Sequence, residues 1–532
     1  MKKLGAQVER DRNMKELKAD VVIIGGSLGG CAAALAALEN GLQVILTEET
    51  DWIGGQLTSQ GVPPDEHPWI EMFGCTKRYW RFRNDVRNFY SSYYPLVVEN
   101  QEGFNPGNAI VSKLAHEPKV ALAVLEQRLA PYLHSGKLNL LLNAEVLAVE
   151  TTGDYLEAVQ VITKTGQQFV LTASFFVDAT DEGSLLPLAG VEYTVGRESQ
   201  AETGEKHAGP GPGDPTDMQA FTFCFAMDYL PGEDHTIAKP EQYDFWRVYQ
   251  APFWPDKQLS WAGVVPHTLE PRVYDFFPGS KRFNLWTYRR LIDKTQFAPG
   301  LYPSDLTLVN WPQNDYWLGP IIDVSPEERE RHLHGAKQLS LSLLYWMQTE
   351  APRPDGGAGY PGLRLRKDVF DTEDGLAKAP YIRESRRIRA LFTILEEHVS
   401  TEERQGEPVR FHDSVGVGSY RVDLHPTTGL RHYVDFSSVP FEIPLGAFLP
   451  IRVRNLIPAC KNIGVTHITN GCYRLHPVEW NIGEVAGLLL KFCLAESLTP
   501  HAVYDNPGHL EEFQRYLDKE GVQRSWPRIH PV

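Results

Sequence analysis

A chain of 532 residues is too long for one simple core and suits two large domains. With 42% hydrophobic and 23% charged residues it is not a mainly disordered chain. Its formal net charge of −16 repels phosphate backbones, which argues against a nucleic-acid partner.

Met1 to Asp20 is polar, with no apolar core of a signal peptide. Asp20 to Ile24 reads as a buried parallel strand, short and apolar on both faces. A glycine cluster follows, then an Ala/Leu-rich helix from Cys31 to Asn40 closed by Gly41, then a strand at Val44 to Leu46. This is a βαβ unit, not a membrane span. Residues 62–110, rich in aromatics and arginines, read as irregular. Pro118 to Leu133 reads as an amphipathic helix, and Leu138–Glu150, Leu156–Thr163 and Gln168–Asp178 as a small β-meander. Residues 200–217 look like an exposed loop. Six of the twelve tryptophans fall between 219 and 320, the expected core of a second domain. Ser325, Pro326 and Glu328 form the capping box of a helix running to about Thr349. Arg383 to His398 is expected to be another helix, with Arg383 and Arg387 on one face. Residues 411–443 read as strands, and 455–493 as strand, glycine turn and helix, with Pro477 opening that helix.

The chemistry-bearing motif nearest the start is Gly25-Gly26-Ser27-Leu28-Gly29-Gly30. It approximates GxGxxG, with small Ser27 in place of the second glycine. Gly25 makes the tight turn, Gly30 lets helix and strand pack closely, and the helix N-terminus offers free N–H groups to a pyrophosphate. Glu48 lies 23 residues after Gly25, near the roughly 20-residue spacing of an acid that binds ribose hydroxyls. The pattern predicts dinucleotide binding. The bland alternative is an ordinary glycine-rich turn.

Asp51 to Ser59 follows the second strand and contains Gly54-Gly55-Gln56. This Gly-Gly pair resembles the second signature of FAD-binding flavoproteins and turns the expected cofactor from NAD to FAD. Phe176 to Gly183, with Ala179-Thr180, resembles a strand end of the same superfamily. Asn455 to Gly487 resembles its closing strand–turn–helix, with Cys460 where many members have glycine. Gln56–Glu71, Tyr381–Arg387 and Thr466–Gly487 resemble a bacterial-type family called FAD-dependent oxidoreductase, within the fumarate-reductase and glutathione-reductase superfamily. The resemblance implies an α/β fold: a Rossmann-type FAD-binding domain from 1–190 and 445–532, with an inserted α+β substrate or cap domain at 191–444. Expected cofactor residues are Gly25, Gly26, Ser27, Gly29, Gly30, Glu48, Gly54, Gly55, Gln56, Val146, Ala179, Thr180, Asn462, Asn470, Gly471 and Gly483. The helix opened by Pro477 would point its dipole at the flavin pyrimidine.

A flavin substrate bearing O–H or N–H needs a base, and His67, His467 and His476 lie in these motifs. The alternative for each is a buried structural histidine. Arg383, Arg386 and Arg387 form the densest basic patch, and Arg383 is the expected grip on a substrate carboxylate or the FAD pyrophosphate. Cys75 or a histidine is a conceivable covalent flavin link that no feature demands. His116-Glu117 has no second ligand at metal spacing, so no metal is expected. The six cysteines, Cys31, Cys75, Cys224, Cys460, Cys472 and Cys493, form no CxxC pair and suit a reducing cytoplasm. With no second GxGxxG unit after a strand, the expected activity is dehydrogenation or oxidation of a small molecule through FAD. A flavin monooxygenase or reductase with an external reductant, and a non-catalytic FAD-binding module, remain as alternatives. The sequence does not name the substrate, the electron acceptor or the oligomeric state.

Overall fold

The computed structural model describes residues 14–97 and 103–527. The first thirteen residues of the polar N-terminal stretch lie outside them. Of that stretch, Met14–Lys18 is a strand that pairs in parallel with Gln168–Thr172.

The glycine motif joins β1 (Val21–Ile24) to α1 (Leu28–Glu39), which leads to β2 (Val44–Glu48). Further along come α2 (Lys77–Tyr93), α3 (Pro118–His134), β3 (Leu138–Leu142) and β4 (Phe175–Asp178). After the inserted region, β5 (Leu456–Pro458) leads to α5 (His467–Tyr473) and α6 (His476–Glu496). The five strands form one parallel sheet in the order β3-β2-β1-β4-β5, so the last strand among the described residues completes a sheet begun by Val21–Ile24. β1 is buried at every position, as a central parallel strand requires. The meander of Ala144–Thr152, Tyr155–Thr163 and Gln168–Thr172 packs beside it.

α1 is buried along nearly its whole length because α6 lies directly against it. The two backbones approach so closely that only glycine fits. A Cβ on Gly483 would sit 2.0 Å from the Gly29 carbonyl oxygen, and one on Gly29 would sit 1.8 Å from that of Ala459. One turn on, Gly487 lies over Ala33 in the same way.

The inserted region has its own antiparallel sheet, Arg290–Ile292, Leu306–Val309, Phe225–Tyr229 and Leu363–Leu365. The helix α4 (Pro326–Thr349), capped by Ser325 and Glu328 as expected, covers it. The tryptophans of 219–320 are all buried in this region's core clusters.

Two expectations are corrected. Residues 77–93, within the stretch read as irregular, form α2, capped by Thr76 and burying Tyr79, Phe82, Val86 and Tyr90 on one face. Conversely, Arg383–His398 is not helical. Its amides donate to carbonyls elsewhere in the chain, Arg386 to Glu182, Ile388 to Asn462 and Arg389 to Glu192, so no i−4 ladder forms. Arg387–Ile388 pairs with Tyr193–Thr194 as a short strand. Arg383, Arg386 and Arg387 pair with different carboxylates, Asp315, Asp323 and Glu384, and Arg387 also reaches Glu198.

All six cysteines are free thiols, and among the described residues no helix is long and apolar enough to cross a membrane.

The α1–α6 contact makes a direct test. Gly483→Ala is expected to cost about 1–3 kcal/mol through overpacking, seen as a lower urea midpoint. An unchanged midpoint would mean that the two helices do not meet there.

Candidate functional site

The turn after β1 is shaped by Gly25, at φ +98°, where a Cβ would lie 2.5 Å from the Ala179 backbone. Ser27 caps α1, its Oγ accepting the Gly30 N–H. The Glu48 carboxylate accepts the N–H of Gly26 at 2.9 Å and both N–H and O–H of Thr50. Burial pushes its pKa up to about 7. The second glycine motif is tied to the first, for the Gly54 N–H donates to the Gly26 carbonyl at 2.6 Å.

These elements enclose a cavity of about 90 Å³ lined by Gly25, Ser27, Glu48, Val146, Ala179 and Thr180. The structure thus brings together six of the residues named from sequence. The lining residues that the sequence reading did not name include Gln60, Asp181 and Arg329.

From this cavity a line of polar side chains runs inward. Gln60 donates to Asp181 at 2.7 Å. The buried Lys461 ammonium pairs with Asp181 and lies 3.9 Å from Glu479. Against burial, Asp181 holds Lys461 firmly charged. Glu479, in the first turn of α6, accepts the Gly29 N–H at 3.0 Å and a bond from the Gln56 amide. The Glu479 carboxylate thus satisfies an otherwise free amide in the first turn of α1. Gln56 then accepts from the Tyr381 hydroxyl at 3.1 Å, which accepts from Arg474 at 3.4 Å, and Arg474 reaches Asp423 at 3.4 Å.

Asp423 belongs to the wall of a second cavity, about 210 Å³, with Arg272, Arg289, Tyr288, Arg383 and His425. Every lining residue falls within 191–444. Arg289 is fixed by two bonds to Asp65, at 3.0 and 3.2 Å. Arg383 pairs with Asp315 at 2.9 Å and donates to the Ala220 carbonyl and Thr222. Asp315 also holds His425 Nδ1 at 2.6 Å. Although burial alone would raise it, Arg383 and then His425 keep Asp315 below the usual carboxylate range. His425 Nε2 lies 3.7 Å from Asp423.

The three histidines named from sequence have other surroundings. His67 meets the Gly74 carbonyl at 3.1 Å and stands edge-on to Trp526, ring centroids 5.2 Å apart. His476 accepts the Asp65 N–H and donates to the Val62 carbonyl. His467 Nδ1 lies 3.0 Å from both Glu384 oxygens. None of the three lines either cavity. Asn462 bridges the ends of β4 and β5, donating to Asp178 O and accepting the Cys460 N–H. Asn470 donates to the Arg383 carbonyl, and Gly471 packs on the Asp423 backbone, so both support the second cavity. Gly483 is a helix-crossing residue. Cys75 has its thiol pushed up to about 12 by burial, unlike a reactive thiolate.

His425 lies outside every flavin-type motif, so motif spacing does not point to it. The signal available was Asp423-Leu424-His425, whose alternation puts Asp423 and His425 on one strand face. Asp181, Cys460 and Glu479 bring ligand-type atoms within 4.8 Å. The Lys461 ammonium lies among them, 3.4 Å from Cys460 Sγ, and supplies the counter-charge.

Residues 20–517 match the family model described as FAD dependent oxidoreductase. No curated protein matches the sequence. Among solved structures, L-proline dehydrogenase from P. horikoshii is 19% identical over 36% of this chain and 26% of its own, with a TM-score of 0.19. The myxobacterial chondrochloren halogenase CndH is 12% identical over 94% of this chain and 80% of its own, TM-score 0.34. OxyS anhydrotetracycline hydroxylase from Streptomyces rimosus is 12% identical over 94% and 66%, TM-score 0.35. This chain therefore spans about a quarter of the proline dehydrogenase chain and just under two thirds of OxyS.

The buried histidines carry a pH signature. Burial lowers His67 from 6.5 to about 4 and His476 to about 3. Both stay neutral in the fold while the unfolded chain takes up protons near pH 6.5. Their contribution is complete above that pH and is lost as pH falls toward 4. Relative to the parent, His476→Gln is expected to lose less stability between pH 6.5 and about 4 in a urea-melt series. Parallel slopes would mean that His476 is charged in the fold.

Proposed function

Since the chain belongs to the FAD dependent oxidoreductase family, we propose that it dehydrogenates or oxidises a small organic substrate held in the Arg383–Asp423–His425 cavity. The observation that carries this reading is the buried polar line from the glycine-motif cavity to that pocket, through Asp181, Lys461, Glu479, Gln56, Tyr381 and Arg474. It runs from where a dinucleotide's adenosine end belongs to where a substrate would meet its reactive ring.

The donor set fits FAD. Gly25, Ser27, Glu48, Val146, Ala179 and Thr180 would hold the adenosine half. The glycine turn between β1 and α1 would face the pyrophosphate, and the start of α6 the flavin end. FAD, when bound, supplies the two-electron acceptor for a hydride from substrate carbon. The protein's own task is the proton. His425 Nε2 takes it from the substrate O–H or N–H, while Asp315 on Nδ1 fixes the tautomer and stabilises the imidazolium. We read residues 1–190 and 445–532 as the FAD-binding part and 191–444 as the part that brings the pocket.

The first check is the absorbance of purified protein before and after acid precipitation. Flavin bands passing to the supernatant are expected, and a colourless protein that FAD does not reconstitute refutes the reading. In anaerobic mixing with a turnover substrate, His425→Asn is expected to slow flavin reduction about 10²- to 10⁴-fold with FAD content unchanged. Undiminished reduction removes His425 as the base. Fast reduction by NADPH alone favours the monooxygenase or reductase alternative.

A further inference from the structure

The guanidiniums around the second cavity are paired with carboxylates, with one exception. Arg289 is held by Asp65, Arg383 by Asp315, Arg421 by Asp435 and Arg474 by Asp423. Arg272 pairs with no carboxylate among the described residues. It donates to the Tyr274 hydroxyl at 3.2 Å and lies over the rings of Tyr274 and Phe283, 4.5 and 5.1 Å from their centroids. Its Nε is buried without a partner, as are those of Arg289 and Arg383 in the same wall.

The local backbone is arranged around this side chain. Arg272 sits on the strand Pro271–Val273, opposite Gly263 of Ala262–Val264. A Cβ on Gly263 would come 2.5 Å from the Tyr274 ring, so the missing side chain is what lets that ring lie beside Arg272. The aromatic walls limit Arg272's hydration while leaving its charge uncompensated by any acid.

We propose that the pocket takes a carboxylate substrate, the carboxylate bound by Arg272, with a hydroxyl- or amine-bearing carbon presented to His425. This rests on the FAD-dependent reading above and adds the substrate class. The reaction balances as follows. The C–H bond breaks and its hydride, two electrons and one proton, passes to FAD. The O–H or N–H proton passes to His425, and a C=O or C=N bond forms, giving an oxo or imino acid. The carboxylate itself is unchanged.

The test uses the FAD-loaded protein and four carboxylates that carry no oxidisable carbinol: acetate, pyruvate, benzoate and phenylacetate. Each is titrated against its neutral amide by calorimetry and by the shift in the flavin spectrum. At least one carboxylate is expected to bind ten-fold or more tightly than its amide. Arg272→Gln is expected to abolish that preference while FAD content and Tm hold, and Arg272→Lys to restore part of it. Equal binding of acid and amide, no binding by any of the four up to 10 mM, or a preference that survives Arg272→Gln overturns the inference. A protein that carries FAD yet shows no preference fails only this step. One that binds no FAD fails the proposed function itself.

Discussion

The contact between α1 and α6 at Gly29 and Gly483 is the constraint on which the site depends. A Cβ on Gly483 would lie 2.0 Å from the Gly29 carbonyl oxygen, and Gly29 is itself closed in by the Ala459 carbonyl oxygen after β5, 1.8 Å from where its Cβ would be. The contact joins residues more than four hundred positions apart in sequence. It fixes the N-terminus of α6 beside the glycine turn after β1. Glu479 can reach the Gly29 amide, and Gln56 can reach Glu479, only because that crossing is so close. The same crossing brings β5 alongside β4 and completes the parallel sheet.

Outside that crossing, the interior is unusually rich in charge. Lys461, Glu479, Arg383, Arg387, Glu384 and Asp315 are almost wholly buried. Buried pairs of this kind contribute little net stability, since desolvation offsets the attraction, and removing one partner costs several kcal/mol. Their effect here is positional. Asp315 meets Arg383 on one side and His425 on the other, so the orientation of the histidine and of the pocket arginine depend on one carboxylate. Unpaired buried donors cost about 1–3 kcal/mol each, and several lie around the same pocket. A fold retains such a cost where a ligand relieves it.

The glycine motifs were legible in sequence because they answer to local geometry. A left-handed turn at Gly25 and a close approach at Gly30 require glycine whatever surrounds them. The capping box before Pro326 was legible for the same reason, whereas the expected meander ran too far at both ends, since Leu138–Leu142 and Phe175–Asp178 are strands of the parallel sheet. The second cavity was not, because its wall is assembled from segments between 266 and 435 that carry no shared motif. The extended run at Arg383 shows the other limit. Its local composition favours a helix, but two buried arginines, Arg383 and Arg387, and the half-buried Arg386 are drawn to different partners across the fold, and that tertiary demand overrides propensity. α2 is the reverse case, a helix whose Tyr79, Phe82, Val86 and Tyr90 stripe was hidden by the arginines between them.

The histidines separate along the same lines. His67 and His476 occur in motifs, are deeply buried, and are held neutral by that burial. They fix backbone geometry: His476 joins Asp65 to Val62, and Asp65 in turn holds Arg289 at the pocket. His425 has the opposite profile. It lies in no flavin motif, keeps partial access to the cavity, and is backed by a carboxylate that remains ionised. Burial opposes charge on the first pair, whereas His425 stands between two carboxylates, Asp315 at 2.6 Å and Asp423 at 3.7 Å.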